Sequence, residues 1–178
     1  MKCLTYEESK IWLASLNIQI NGLRYLVLPI GHDTKNVMAT LPKGNNIGFF
    51  AARLADWLSP DSNRMVWITT SNSFDFQMTL FDKIRLGCGE SRTLADAPGH
   101  LFEGMSEEET ALVSGLMFFM IAFDWWGFFV AENCTDYIYL GDEYMIFYSD
   151  NDEKIKGATD LINECKLQVI QNNREAWK

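Results

Sequence analysis

Apolar residues are most concentrated between Ser106 and Ser149, and their spacing predicts one helix followed by three strands. Ser106 and Glu109 have the spacing of a capping box. In that motif the serine oxygen accepts from the N–H of residue 109, and the glutamate reaches back to the N–H of residue 106. From Leu112 to Phe123 apolar side chains occupy every side of the helix, which is typical of a helix in a core or in a membrane.

The membrane alternative is decided by charge. The range 111–131 is about long enough to cross a bilayer. Asp124 lies inside this range, however, and a carboxylate in the hydrocarbon costs a few kcal/mol. No Lys or Arg lies between Arg92 and Lys154, so the usual positive flank is missing. We therefore expect a buried core helix and no contact with membranes.

After Gly127 the pattern changes to short runs rich in aromatic and β-branched residues, which favour strands. Turn-forming residues separate the runs, which indicates an antiparallel meander. The predicted strands are 128–131, 137–140 and 144–148.

The front of the chain predicts a strand–helix–strand unit. Residues 5–8 cap a first helix that ends at Asn21-Gly22. The run 25–28 is then a buried strand, and a polar loop follows over 31–44. A second helix begins after Asn45 or Asn46 and places its apolar residues on one face as far as Leu58. The run 65–69 is the next strand. If both strands share a sheet, the crossover favours parallel, right-handed pairing.

Two further helices are predicted. Residues 74–86 alternate as a strand would, but N-capping residues precede them and Phe76, Leu80 and Ile84 share one helical face, so we favour a helix. Residues 88–105 read as a loop. The C-terminal segment is an amphipathic helix whose apolar face runs from Ile155 to Val169.

These elements predict a single α+β domain over residues 1–178. We expect a mixed sheet of about five strands, with the βαβ unit at the front and the meander at the back, packed with four to five helices. A chain of 178 residues that is 48% hydrophobic can bury a substantial core.

Composition narrows the classes of partner. The net charge of −9 argues against nucleic acid and anionic membranes, and it indicates either a well-solvated, soluble surface or a basic protein partner. The four cysteines have no ligand-like spacing and there are only two histidines, so we expect free thiols, no metal site and no cofactor. The first residues contain no apolar leader, so the predicted location is the cytoplasm.

Two loops carry candidate chemistry. His100 lies between Asp96 and Glu103, and a histidine beside carboxylates can act as an acid, a base or a ligand. The alternative is a structural imidazole in a loop that Leu101 and Phe102 anchor. His32 stands beside Asp33 in the second loop. No nucleophile-elbow or phosphate-loop motif accompanies either histidine.

Acidic residues in predicted loops and turns are the candidates for partner binding, because a partner can reach them there. They are Asp33, Asp142 and Glu143.

Several segments resemble a pattern found in uncharacterised bacterial proteins, for which no activity carries over. The most specific is Pro98-Gly99-His100-Leu101-Phe102, and Gly141 stands where that pattern often has a histidine. The other segments are Val66-Trp67-Ile68, Ile84-Arg85, Gly89-Glu90, Asp124-Trp125 and Asp142-Glu143-Tyr144.

As a class, small acidic one-domain bacterial proteins resemble immunity proteins, which neutralise toxins from neighbouring cells. This resemblance implies a non-enzymatic protein-binding module whose partner is a cognate, basic protein toxin. The alternative is a small hydrolase that uses His100 with nearby carboxylates.

Overall fold

A computed structural model describes residues 1–21, 25–27, 34–58, 62–70, 75–103, 106–133, 135–141 and 143–170 of the chain. Over these ranges the chain is α+β, with five helices and nine strands. In chain order the elements are β1 Lys2–Leu4, α1 Tyr6–Ser15, β2 Gln19–Asn21, β3 Tyr25–Val27, β4 Lys35–Thr40, α2 Asn46–Trp57, β5 Arg64–Thr70, α3 Asp75–Gly87, β6 Gly99–Phe102, α4 Glu107–Ala122, β7 Trp126–Ala131, β8 Tyr137–Leu140, β9 Tyr144–Ser149 and α5 Asp152–Glu164.

The main sheet has seven strands in the order β1-β6-β5-β7-β8-β9-β4, and every pairing in it is antiparallel. The predicted meander is confirmed as β7-β8-β9. The predicted βαβ unit is wrong. β3 pairs with β2 in a separate two-stranded sheet, and the neighbours of β5 are β6 and β7.

Three strands of the main sheet were not predicted, which is why its size was underestimated. β1 and β6 have only three and four residues, too few for a period of two to stand out. β4 falls in the predicted polar loop, because Lys35, Asn36 and Thr40 give it a polar composition. As an edge strand it needs only a few apolar contacts, which Met38 and Ala39 supply.

The sheet separates two apolar clusters because successive side chains of a strand point to opposite faces. One face contacts α2, α3, α4 and α5, while the other lies against α1 and its flanking residues. Strand residues on the first face include Val66, Ile68, Phe102, Phe129, Ile138, Leu140, Met145 and Phe147. Strand residues on the second face include Met65, Trp67, Leu101, Phe128, Val130 and Tyr137.

The central helix α4 is confirmed, and part of its predicted cap is not. Ser106 Oγ accepts from the backbone N–H of Glu109 at 3.1 Å, as a cap requires. The Glu109 side chain does not reach back to residue 106, because its Oε1 pairs with the amino group of Met1 at 3.0 Å. The helix also has an outer side, where the Phe118 side chain is 42% exposed.

Helix boundaries and faces differ from prediction elsewhere. Helix α1 has the predicted capping box between Thr5 and Glu8 but ends at Ser15, because Asn17 adopts a positive φ of 60° and β2 follows. Helix α3 is confirmed, yet Leu80 and Ile84 are exposed and Phe81 is buried instead. The predicted face was one position out of register.

The chain after α5 protects the edge of the sheet. The backbone of Thr40 donates to Gln168 O at 3.0 Å, and Ile170 donates to Met38 O at 2.9 Å. Val169 therefore pairs with β4 rather than extending the helix, which corrects the predicted C-terminal face. None of the helices in the described ranges is long and apolar enough to cross a membrane.

Candidate functional site

His100 lies in β6 and is fully enclosed. Its register partners are Cys3 on β1 and Val66 on β5, and the ring of Phe81 packs against the imidazole edge at a centroid distance of 5.6 Å. Burial, and secondarily the positive charge of Arg85, lowers the pKa of His100 to about 3. The imidazole is therefore neutral near pH 7 and has no exposed surface through which to exchange protons with a substrate.

The carboxylates predicted to accompany His100 lie on the surface. Asp96 accepts a hydrogen bond from the Thr93 hydroxyl at 2.7 Å, and Glu103 is exposed just after β6. The structure thus does not enclose them with the imidazole. The carboxylate whose charge acts on the His100 pKa is Glu90, in the loop after α3.

Beside His100 is a group of charged residues that the sequence did not single out as a site. Arg85 is fully buried and ties the loop to α3, because it donates to the carbonyl groups of Arg92 at 2.9 Å and Ala97 at 3.0 Å. Arg92 holds Glu90 through its Nε and Nη2, with a shortest distance of 2.6 Å. These bonds lower the pKa of Glu90 to about 2.

The same guanidinium reaches the edge of the sheet. Arg92 Nη2 donates to the carbonyl of Cys3 at 2.9 Å, so the loop is joined to β1. Burial raises the pKa of the Cys3 thiol, which therefore stays protonated. In the sequence, Arg85 suited the end of the predicted helix, and Arg85 and Glu90 were otherwise noted only as parts of the bacterial pattern. The burial of Arg85, which marks this group, is visible only in the structure.

An open cavity of about 330 Å³ lies outside this cluster. Helix α3 forms one wall and the loop after it forms the other. The lining residues are Thr79, Asp82, Lys83, Leu86, Glu90, Ser91, Arg92 and Thr93.

A second feature is the accumulation of carboxylates at one end of the main sheet. The registers place the ends of β6, β7 and β9 together there, with the start of α4 and α5 beside them. We call this the acidic end. Its exposed members are Glu103, Glu107, Glu108, Glu132, Asp150, Asp152 and Glu153.

Cations at the acidic end are largely engaged. Lys35 pairs with Asp152, and Lys154 contacts the buried Asp136 at 3.3 Å. Arg64 is fully buried beneath this end, where burial lowers its pKa. Exposed negative charge is therefore in excess there.

The residues predicted for partner binding are only partly described. His32, Asp33 and Asp142 lie outside the described residues. Glu143 is exposed in the turn between β8 and β9 with φ of 63°, at the end of the sheet opposite the acidic end. Its role in partner binding stays a prediction.

Metal ligands do not converge in the part of the chain that the structure describes, where no three His, Cys, Asp or Glu side chains are grouped to hold an ion. Cys3, Cys88 and Cys165 are free thiols. Comparison of the chain with protein-family models, with curated proteins and with solved structures finds no match in any of the three.

Proposed function

We propose that this protein is a binding module for a basic protein and that its acidic end makes the first contact with that partner. The most concrete form of the proposal is a bacterial immunity protein that neutralises a cognate toxin by covering its active site. The observation that carries it is the set of seven exposed carboxylates gathered at one end of the sheet.

The charge distribution supports this assignment because complementary potentials speed the encounter of two proteins. A net charge of −9 spread evenly would give a general repulsion of anions. Concentrated charge at one end also orients an approaching cationic partner. The alternative of a hydrolase built on His100 lacks such support, since the ring is enclosed and neutral near pH 7.

The experiment first identifies the toxin and then measures the encounter. The gene adjacent to the one that encodes this protein is co-expressed with it, and rescue from that toxin but not from unrelated toxins is expected. Association with the purified toxin is then followed by stopped flow at several salt concentrations. The rate constant should fall steeply as salt rises, because exposed charges are screened over about 10 Å at 0.1 M.

Charge reversals locate the contact. Glu103→Lys combined with Asp150→Lys should slow association by about tenfold at low salt and flatten its salt dependence. The matched control changes the same amount of charge elsewhere, through Glu7→Lys combined with Asp160→Lys, both on exposed helix positions. Equal slowing by both pairs would show that only net charge matters, and the acidic end would lose its special role.

A third variant tests the sequence-based site. Glu143→Lys lies at the opposite end of the sheet and should leave association almost unchanged if the acidic end makes the contact. Slowing by this variant alone would move the interface to the β8–β9 turn. Failure of folded protein to rescue cells from the adjacent toxin would contradict the immunity proposal itself.

A further inference from the structure

The cavity beside α3 differs in charge from the rest of the protein. Its lining balances Lys83 and Arg92 against Asp82 and Glu90, and the buried Arg85 lies beneath it. Asp96, bonded to Thr93, lies outside the lining. A cavity whose lining is neutral overall thus contrasts with the net charge of −9 of the whole chain.

Both carboxylates in the cavity walls are already engaged. Asp82 Oδ1 lies 3.5 Å from Arg85 Nη1. Glu90 receives hydrogen bonds from Arg92 at 2.6, 3.0 and 3.1 Å, and its lowered pKa keeps it ionised and paired. Glu90 is therefore committed to Arg92, whereas Asp82 pairs with Arg85 and keeps its side chain 49% exposed.

Two donors are left for a ligand. Within the described residues, Lys83 has no carboxylate partner, and Arg92 Nη1 donates no hydrogen bond. Leu86 lines the same cavity with its side chain 61% exposed, so an apolar surface stands beside these donors.

We propose that this cavity binds a small organic carboxylate that has an apolar body. The carboxylate lies between the Lys83 ammonium and Arg92 Nη1, and the apolar body covers Leu86. A volume of about 330 Å³ is at the lower end of the range for small-molecule sites. The proposal is independent of the binding of a basic protein, which uses the acidic end.

A carboxylate fits better than a phosphate for a reason of charge and geometry. The planar fork of Arg92 is occupied by Glu90, so bidentate capture of a phosphate by this arginine is blocked. Because the lining is neutral overall, a monoanion also leaves less uncompensated charge there than a dianion does.

Three probes of known charge test the ligand class. Each is titrated into labelled protein, and binding is followed by the amide chemical shifts. Benzoate carries the anion and an apolar ring, benzylamine carries a similar ring with the opposite charge, and inorganic phosphate carries no apolar body. We expect benzoate to shift amides in residues 79–93 with a Kd in the millimolar range, as its nine heavy atoms allow. Benzylamine and phosphate should bind at least tenfold more weakly.

Variants at Lys83 test the site. Lys83→Ala should weaken benzoate binding by about three- to tenfold, and Lys83→Glu should abolish it. Lys83 is exposed, so both variants should keep the fold, as judged by circular dichroism. Lys156→Ala, at an exposed position on α5, is the matched control and should bind as the wild type does.

Three results would overturn the proposal. Benzylamine binding as tightly as benzoate removes the anion preference, and phosphate binding as tightly as benzoate removes the apolar contact. Unchanged benzoate affinity in folded Lys83→Ala places the ligand elsewhere.

Discussion

A single buried imidazole gives this protein a characteristic response to acid. The pKa of His100 is about 3 in the folded protein against an ordinary value of 6.5. Because the folded-state pKa is the lower one, the unfolded chain takes up the proton first as the pH falls. The stabilisation is thus fully present above pH 6.5 and is lost progressively towards pH 3.

We therefore expect the free energy of unfolding to fall by up to about 1.4 kcal/mol per pH unit below pH 6.5. Urea unfolding between pH 7.5 and pH 5.0 measures this slope before most carboxylates titrate. His100→Asn should be less stable at pH 7.5, because it disturbs a packed site, yet should show a much shallower slope. His32→Asn is the control for histidine content, and a wild-type slope in His100→Asn would contradict the assignment.

The residue types in the sequence predicted only part of the surroundings of His100. His100 stood out because histidine is rare in the chain, and the structural alternative for it matches its burial. The partners predicted from proximity in sequence, Asp96 and Glu103, are surface residues. Arg85 on α3 and Glu90 in the loop after it act on His100 through their charge only when β6 packs against α3, a relationship that no local spacing encodes.

At the scale of elements, α4 has a buried side and an exposed side despite its uniformly apolar sequence. Met120 is fully buried, whereas Phe118 is 42% exposed on the outer side. Met120→Asp should therefore abolish folding, because it places an unpaired charge in the core and costs more than about 4 kcal/mol.

Phe118→Asp is the matched variant on the same helix and should cost only about 1 kcal/mol, since much of its ring already meets water. Soluble yield and urea midpoints of the two variants provide the comparison. Equal loss of folding in both would mean that the outer side of α4 is covered.

The contact between α4 and the central strands depends on Gly127, which has no side chain. A Cβ on Gly127 would lie 2.3 Å from Trp67 O and 2.6 Å from Met120 Cε. Gly127→Ala should thus destabilise the protein by about 3 kcal/mol, because backbone atoms cannot yield as a flexible side chain does.

Gly115 lies in α4 with nothing within 4 Å of an added Cβ. Gly115→Ala should stabilise the protein by about 0.5–1 kcal/mol, since alanine loses less backbone entropy in a helix. Thermal melts of the two alanine variants should therefore shift in opposite directions. A stable Gly127→Ala would contradict the tight strand–helix contact.

Elements with a strong local pattern could be predicted, and those defined by their neighbours could not. Each of the helices α2, α3, α4 and α5 and the meander has a local signal in the sequence. Apolar periodicity marks α2 and α5, capping residues precede α3 and α4, and turn residues separate the strands of the meander. The strand β6 has only four residues, and β4 is largely polar. Each becomes a strand because an adjacent strand supplies its hydrogen bonds, and the parallel crossover was inferred without knowing those neighbours.

At the scale of the whole molecule, the acidic end and the cavity beside α3 lie in different places. The acidic end collects exposed carboxylates, while the lining of the cavity beside α3 is neutral overall and includes two cations. A basic protein and a small carboxylate would therefore not compete directly. This separation is what allows the charge reversals and the Lys83 variants to be interpreted independently.

The polar composition of β4 has a further consequence during synthesis. Its register partner is β9, with Lys35 opposite Ser149, 114 positions later in the chain. At about 5–20 residues per second, roughly 6–23 s pass between the synthesis of β4 and that of its partner. An apolar strand exposed for that time would invite aggregation, whereas Lys35, Asn36 and Thr40 suit a strand that waits in water. The polar composition that kept β4 from being predicted as a strand is thus also suited to its exposure before β9 is made.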